Sequence, residues 1–138
     1  MDELADKGFA RRLGVSNFSV ELMKEAQGRL DHAKIAASQI EYNLIERSAE
    51  KDIIPFCQKN GIKVIAYRPL ARGGLANSQN KVLEALAEKY HKTPAQIALN
   101  WITSKDIAAI PKAGSIAHLR ENYGALEWRM SEEDYIAL

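Results

Sequence analysis

The residues able to do chemistry lie in four short stretches, each at or near the end of an apolar run. Ser16-Asn17 follows Leu13-Gly14-Val15. Gln39 stands in the run 35–40, with Tyr42-Asn43 just beyond it. Tyr67-Arg68-Pro69-Leu70 closes the run 63–67, and Pro111-Lys112 closes 107–110. If such runs are strands alternating with helices, their C-terminal ends are where functional polar residues gather. The last stretch has the most direct logic. Lys112 is a cation at a strand end, and Ser115 opens a helix whose free N–H groups favour an anion. A phosphate there meets one cation, one hydroxyl and several amides. His118 lies about one turn into that helix, where it could face the same phosphate or simply the solvent. Spacing places neither His118 nor Arg120 firmly.

Taken singly, each stretch has a plainer explanation. Ser16-Asn17 is also ordinary turn chemistry. Tyr67 alone is more often a core residue than a stacking platform, and Lys112 alone is usually a solvated lysine. Gln39 is harder to dismiss, because an amide buried in an apolar strand must find partners.

The elements that must position these residues follow from periodicity and punctuation. A helix end at 3–7 is stopped by Gly8, and 13–16 is a short strand. Ser19 caps a helix running to Leu30, with Phe18 and Met23 at the spacing of a hydrophobic staple. The run 35–40 is the next strand, although periodicity alone leaves a helix open. Ser48 caps a helix to Asn60, kinked or broken at Pro55 and stopped by Gly61. Residues 63–67 form a strand, Arg72-Gly73-Gly74 a loop, and 82–90 a short amphipathic helix. Thr93-Pro94-Ala95-Gln96 is a capping box with proline at the first helical position. A last strand at 107–110 is followed by a helix between Ser115 and Gly124 and by one capped turn from Ser131. Four strand–helix units imply α/β architecture with parallel strands: half of an eight-fold barrel, or a small open sheet. No long or low-complexity loop divides the chain, so residues 1–138 read as a single domain. The pattern opens inside a helix and stops after a single turn, so both ends read as cut.

Bulk properties narrow the classes. Lys plus Arg is 19 against 18 Asp plus Glu in 138 residues, a balance that argues against a nucleic-acid surface built on bulk charge. No apolar run approaches the roughly 20 residues of a membrane helix. The acidic start, Met1-Asp2-Glu3-Leu4, is unlike a signal peptide. Cys57 is the single cysteine, which excludes an internal disulfide and fits a reducing compartment. The expected setting is the cytoplasm.

Taken together, Gly14-Val15-Ser16-Asn17-Phe18, Gln39-Ile40-Glu41-Tyr42-Asn43, Ala66-Tyr67-Arg68-Pro69-Leu70 and Ile110-Pro111-Lys112 with Glu121-Asn122 resemble the signatures of the aldo-keto reductase family, in the family's order and across nearly the whole chain. The resemblance implies a partial TIM barrel, the C-terminal half of a (β/α)8 barrel, holding a nicotinamide cofactor, with NADP(H) favoured over NAD(H). It implies that Ser16, Asn17 and Gln39 hold the carboxamide and that Tyr67 stacks on the nicotinamide ring. Arg68, Pro69 and Leu70 run beside the pyrophosphate. Lys112 pairs with phosphate, in a segment that includes Ala113, Ser115 and His118, while Glu121 and Asn122 bind adenine. Amide meets amide, π-face meets π-face and cation meets phosphate.

The sequence departs from the family pattern in three places. Arg68 and Ala113 stand where serine is frequent, and His118 stands where many members carry an arginine that clamps the 2′-phosphate. Histidine lacks that planar fork and is neutral for much of its time at pH 7. The family's catalytic tetrad of Asp, Tyr, Lys and His has no matching motif in these residues, and neither His32, His91 nor His118 is assigned a catalytic role. No metal site is expected. The favoured expectation is therefore part of an NAD(P)H-dependent reductase of aldehydes and ketones, inactive as an isolated chain. One alternative is a non-catalytic nucleotide-binding half-barrel that acts only with another chain; another is a structural remnant that binds nothing. Four strands leave two open edges, so self-association or pairing with an N-terminal half-barrel is expected. A small carbonyl substrate belongs to the full-length context.

Overall fold

The computed structural model describes residues 2–75 and 80–138. The elements are α1 (Asp2–Asp6), β1 (Leu13–Ser16), α2 (Val20–Gly28), β2 (Ile35–Glu41), α3 (Ile53–Lys59), β3 (Lys63–Tyr67), α4 (Lys81–Tyr90), α5 (Pro94–Thr103), β4 (Ala108–Ile110), α6 (Ile116–Tyr123) and α7 (Glu132–Ile136), with 3-10 turns at Ser48–Glu50 and Ala71–Gly73. The strands form one sheet in the order β1-β2-β3-β4. β1 pairs parallel to β2, placing Ser16 opposite Gln39. Residues fall into two compact units, 1–40 with 48–65, and 41–47 with 66–138.

In the first unit Leu13, Met23, Ile35, Ile54, Cys57 and Val64 are buried, each large aliphatic contributing roughly 1.5–3 kcal/mol relative to exposure. Burial pushes the Cys57 thiol pKa up. Ser19 caps α2, its hydroxyl accepting from Leu22 N–H at 3.2 Å. The Asp2 carboxylate accepts from the backbone N–H groups of Asp31, His32 and Ala33, tying α1 to the turn before β2. Those bonds hold its carboxyl below the usual range. One expected boundary moves. Ser48 opens only a 3-10 turn, and α3 starts at Ile53 with Asp52 as its cap, Oδ1 accepting from Ile53 N–H at 2.6 Å. Pro55 therefore sits in the first turn, where its missing N–H has no intrahelical partner to lose, and no kink is needed. Gly61 follows at φ 67°.

The second unit is organised around α5, in which Ala95, Ile97, Ala98, Leu99, Asn100, Trp101 and Ile102 are all buried. Its capping box closes as expected: Gln96 N–H donates to Thr93 Oγ1 at 3.2 Å, and Thr93 N–H donates to Gln96 Oε1 at 3.0 Å. The same Gln96 donates from Nε2 to the Glu121 carbonyl at 3.0 Å. Buried Asn100 donates to the carbonyls of Ala125 (2.9 Å) and Trp128 (2.8 Å). Two polar side chains of α5 thus fix the segment that closes α6. Gly124 has an ordinary φ of −66°. A Cβ there would push aside the end of the flexible Gln96 side chain, which donates to the Glu121 carbonyl. Lys105 donates to the Tyr42 hydroxyl at 2.7 Å and sits 3.9 Å from the centre of the Trp101 ring. Helix α4 begins one residue earlier than expected, at Lys81, because Asn80 Oδ1 accepts from the N–H groups of Val82 and Leu83.

Helix α7 is tied to α4 by a polar clasp. Asp134 accepts from Lys89 Nζ at 2.7 and 2.9 Å, from the Tyr90 hydroxyl at 2.5 Å and from the Ser131 hydroxyl at 2.9 Å. Lys89 first, then Tyr90 and Ser131, lower its pKa from 3.8 to about 2. A folded-state pKa below the unfolded one contributes stability above the unfolded value and loses it as pH falls through the folded one. The stability difference between wild type and Asp134→Asn, from urea unfolding, should therefore shrink as pH is lowered from about 5 to about 2. A difference that does not change with pH contradicts this reading of the clasp.

Candidate cofactor site at the strand ends

In the first unit, the end of β1 is organised around one carbonyl. The Ser16 hydroxyl donates to the Gln39 backbone oxygen at 3.1 Å, and Asn17 N–H donates to the same oxygen at 2.9 Å. β1 can lie this close to β2 because Gly14 has no side chain: a Cβ there would be 3.2 Å from the Ala37 carbonyl oxygen. Asn17 leaves the strand at φ 57°, a left-handed conformation that asparagine tolerates better than most residues. Ser16 and Asn17 are exposed, and Gln39 is half-buried rather than buried as its apolar neighbours suggested. The pleat explains the difference. Ser38 and Ile40 take the buried positions of β2, and Gln39 alternates to the other face. Among the described residues, no hydrogen bond is made by the side-chain amides of Asn17 or Gln39. Both keep donor and acceptor capacity for a ligand amide.

In the second unit, the chain leaving β3 is held in an unusual backbone. Arg68, Ala71 and Arg72 have φ of 50°, 47° and 58°, and Gly73 follows at 91°. Left-handed geometry costs a non-glycine residue about 1–2 kcal/mol. It persists where the surroundings over-determine it, a pattern that clusters at functional sites. The surroundings here are specific. Pro69 is buried, and Leu70 and Ala71 pack on a core of Leu75, Leu83, Leu86, Ala87, Ile97 and Ala98. The Arg68 carbonyl accepts from Ala71 N–H at 2.9 Å and from Asn43 Nδ2 at 3.1 Å. Tyr67 is half-buried, with the Arg68 guanidinium 5.7 Å from its ring centre and paired to Glu41 at 2.9 Å.

An open cleft of about 710 Å³ borders this turn, lined by Arg68, Pro69, Leu70, Arg72, Lys112 and His118 among others. Its charged lining is three permanent cations and a histidine, with no carboxylate, so the cleft is suited to a polyanion. Lys112, Arg72 and His118 make no ion pair with the described residues. Ser115 caps α6, its hydroxyl accepting from His118 N–H at 3.1 Å. That bond uses one of the N–H groups expected to face an anion and leaves the hydroxyl only its proton to offer. Ala113, Ser115, Glu121 and Asn122 do not line the cleft. Ala113 and Ser115 are exposed beside it, and Glu121 and Asn122 are half-buried in the last turn of α6. Arg120 is exposed and does not line it either. Arg72 was not singled out from sequence, where it read only as loop; Asn43 was named at its strand end, but its bond to a partner 25 residues away was not. Among the described residues no group of three or more His, Cys, Asp or Glu is placed to hold a metal, and no helix is long and apolar enough to cross a membrane.

The molecule is thus an α/β protein of parallel strands with its ligand-capable polar groups at strand ends. The aldo/keto reductase family model matches residues 1–138, and the chain belongs to that family. It is 36% identical over 142 residues to methylglyoxal reductase YeaE of Escherichia coli strain K12, covering 100% of this chain and 50% of that relative. Among solved structures, the thermostable aldo-keto reductase Tm1743, in complex with the inhibitor epalrestat, superposes with a TM-score of 0.91 at 40% identity. The match covers 98% of this chain and 50% of that one. An aldo/keto reductase from Klebsiella pneumoniae in complex with NADP and acetate gives a TM-score of 0.88 at 35% identity, covering 99% and 50%. The chain therefore spans about half the length of these relatives, and its fold is part of their β/α barrel.

The backbone at the end of β1 sets a direct test. Asn17→Gly should leave stability within about 0.5 kcal/mol of wild type, whereas Asn17→Val should cost about 1–2 kcal/mol. Urea unfolding measures both. Equal losses for the two variants would show that the side chain, not the left-handed backbone, sets the residue type at this position.

Proposed function

We propose that these residues form the cofactor-gripping half of an NAD(P)H-dependent carbonyl reductase, with NADP(H) favoured and NAD(H) the alternative. The observation that carries the reading is the cleft beside the β3 turn, whose charged lining is Arg68, Arg72 and Lys112 with His118 and no carboxylate. That donor set fits a ligand carrying several phosphates. In this reading Arg68, Pro69 and Leu70 face the pyrophosphate, and Lys112, with Ala113, Ser115 and His118 around it, meets the 2′-phosphate. Glu121 and Asn122 take the adenine. Tyr67 offers its ring to the nicotinamide, and Ser16, Asn17 and Gln39 offer their polar groups to the carboxamide. The nicotinamide, when bound, supplies hydride; these residues only bind and orient it.

The substrate class is an aldehyde or ketone, in keeping with the reductase relatives. Nothing in these residues supplies the family's acid–base tetrad, so this polypeptide alone does not turn over. β1 and β4 are the outer strands of the sheet. On α6, Ile116, Leu119 and Tyr123 leave an apolar stripe exposed. Both features favour cover by an N-terminal half-barrel or a second copy. Residues 1–138 act as one domain in this reading. A cytoplasmic setting fits the single cysteine, which is buried.

Fluorescence titration of the chain with NADPH and NADH tests the proposal. Lys112→Ala should weaken NADPH by about 1.5–3 kcal/mol, and NADH by less. Aldehydes added to the same mixture should cause no NADPH oxidation. Equal losses for both cofactors would confine Lys112 to the shared pyrophosphate. A well-folded chain that binds neither cofactor, or one that turns over like an ordinary reductase, contradicts the proposal.

A further inference from the structure

We infer that Asn43 is a positioning residue: it sets the backbone of the turn 68–73 and, through it, where the cleft's two arginines stand. The inference deepens the cofactor reading, since that turn is the part proposed to face the pyrophosphate.

Asn43 is 1% exposed, and both ends of its amide are engaged. Oδ1 accepts from the N–H groups of Ile45 and Glu46, each at 2.9 Å, and Asn43 N–H donates to the Glu46 carbonyl at 3.1 Å. Residues 43–46 thus close into a turn around the side chain, which fixes the direction of Nδ2. From that turn Nδ2 donates to the Arg68 carbonyl at 3.1 Å, across 25 residues of sequence. Arg68 has φ 50°, so some outside contact must hold it against the left-handed cost.

Two contacts compete for that role. The Arg68–Glu41 ion pair is 43% and 34% exposed on its two sides, a setting in which such pairs are worth little. The Asn43 bond comes from a buried residue, where losing the donor leaves a carbonyl partly unsatisfied. The part-buried Asn43 bond, made to the backbone itself, is the stronger constraint. Because it acts on the backbone, it orients everything the turn carries: the Tyr67 ring before it, the Arg68 side chain, and Arg72 at φ 58°.

Asn43→Asp separates positioning from mere packing. It is nearly isosteric and keeps an acceptor for Ile45 and Glu46, but replaces the Arg68 donor with an oxygen. Hydrogen exchange is the first readout. The Ala71, Gly73 and Leu75 amides, which bond within the turn, should lose protection by up to about tenfold, the net worth of one hydrogen bond. Amides of α5 should keep theirs. NADPH affinity should fall by a similar factor. Arg68→Gly, which adopts φ 50° without help, should make the turn's exchange less sensitive to Asn43→Asp. If Asn43→Asp does not fold, Asn43→Ser keeps a local acceptor, is too short to reach Arg68, and should show the same exchange pattern.

Unchanged turn protection, or an equal loss of protection throughout, overturns the inference. So does full sensitivity in the Arg68→Gly background. If the wild-type chain binds no NADPH, the cofactor reading fails, and exchange still decides the role of Asn43.

Discussion

The Arg68 carbonyl, accepting one hydrogen bond from Ala71 and one from Asn43, is the interaction on which the candidate site rests. It lets a non-glycine residue leave β3 in a left-handed conformation. From there the chain turns back on itself, so that Leu70 and Ala71 reach the core while Arg68 and Arg72 reach the cleft. An ordinary extended exit from the strand would carry those two arginines away from Lys112. The cationic character of the cleft is therefore a consequence of backbone geometry as much as of composition.

A second constraint acts within the same unit. Helix α5 is buried along most of its length, yet it carries Gln96 and Asn100, whose amides satisfy the carbonyls of Glu121, Ala125 and Trp128. Asn100 is buried and Gln96 half-buried; polar groups withdrawn from water are costly unless paired, and here the pairing fixes the path of the chain that closes α6. Helix α6 buries none of its own residues. Its placement comes from α5 and from the Ser115 cap, not from an apolar face of its own.

What the sequence made legible was what is local. The strands at 13–16 and 63–67, the capping box at Thr93, and the serine caps at 19, 115 and 131 all depend on neighbours within about four residues, and all were readable. Errors arose where two local signals competed or where the partner was distant. Ser48 and Asp52 are both good caps, and the start at Asp52 is the one that leaves Pro55 in the first turn of α3. Gln39 looked buried because its neighbours are apolar, but alternation along β2 turned it outward. Gly124 ends α6 as expected, although with a right-handed φ rather than the left-handed one glycine stops often adopt. The left-handed φ of Arg68, Ala71 and Arg72 has no signature in residue type, so the loop at 72–74 was readable but neither its backbone conformation nor the place of Arg72 in the cleft lining was. Asn43 stood in plain view within a motif, with its partner 25 residues away.

The cleft beside the β3 turn is the place proposed for a phosphate-bearing nicotinamide cofactor. Backbone amide chemical-shift mapping during titration with NADP+ tests it most directly. The account predicts saturable perturbations concentrated at residues 67–73 and 112–118, with a second set at Ser16, Asn17 and Gln39. A folded chain whose spectrum does not change, or changes only away from those residues, would contradict it.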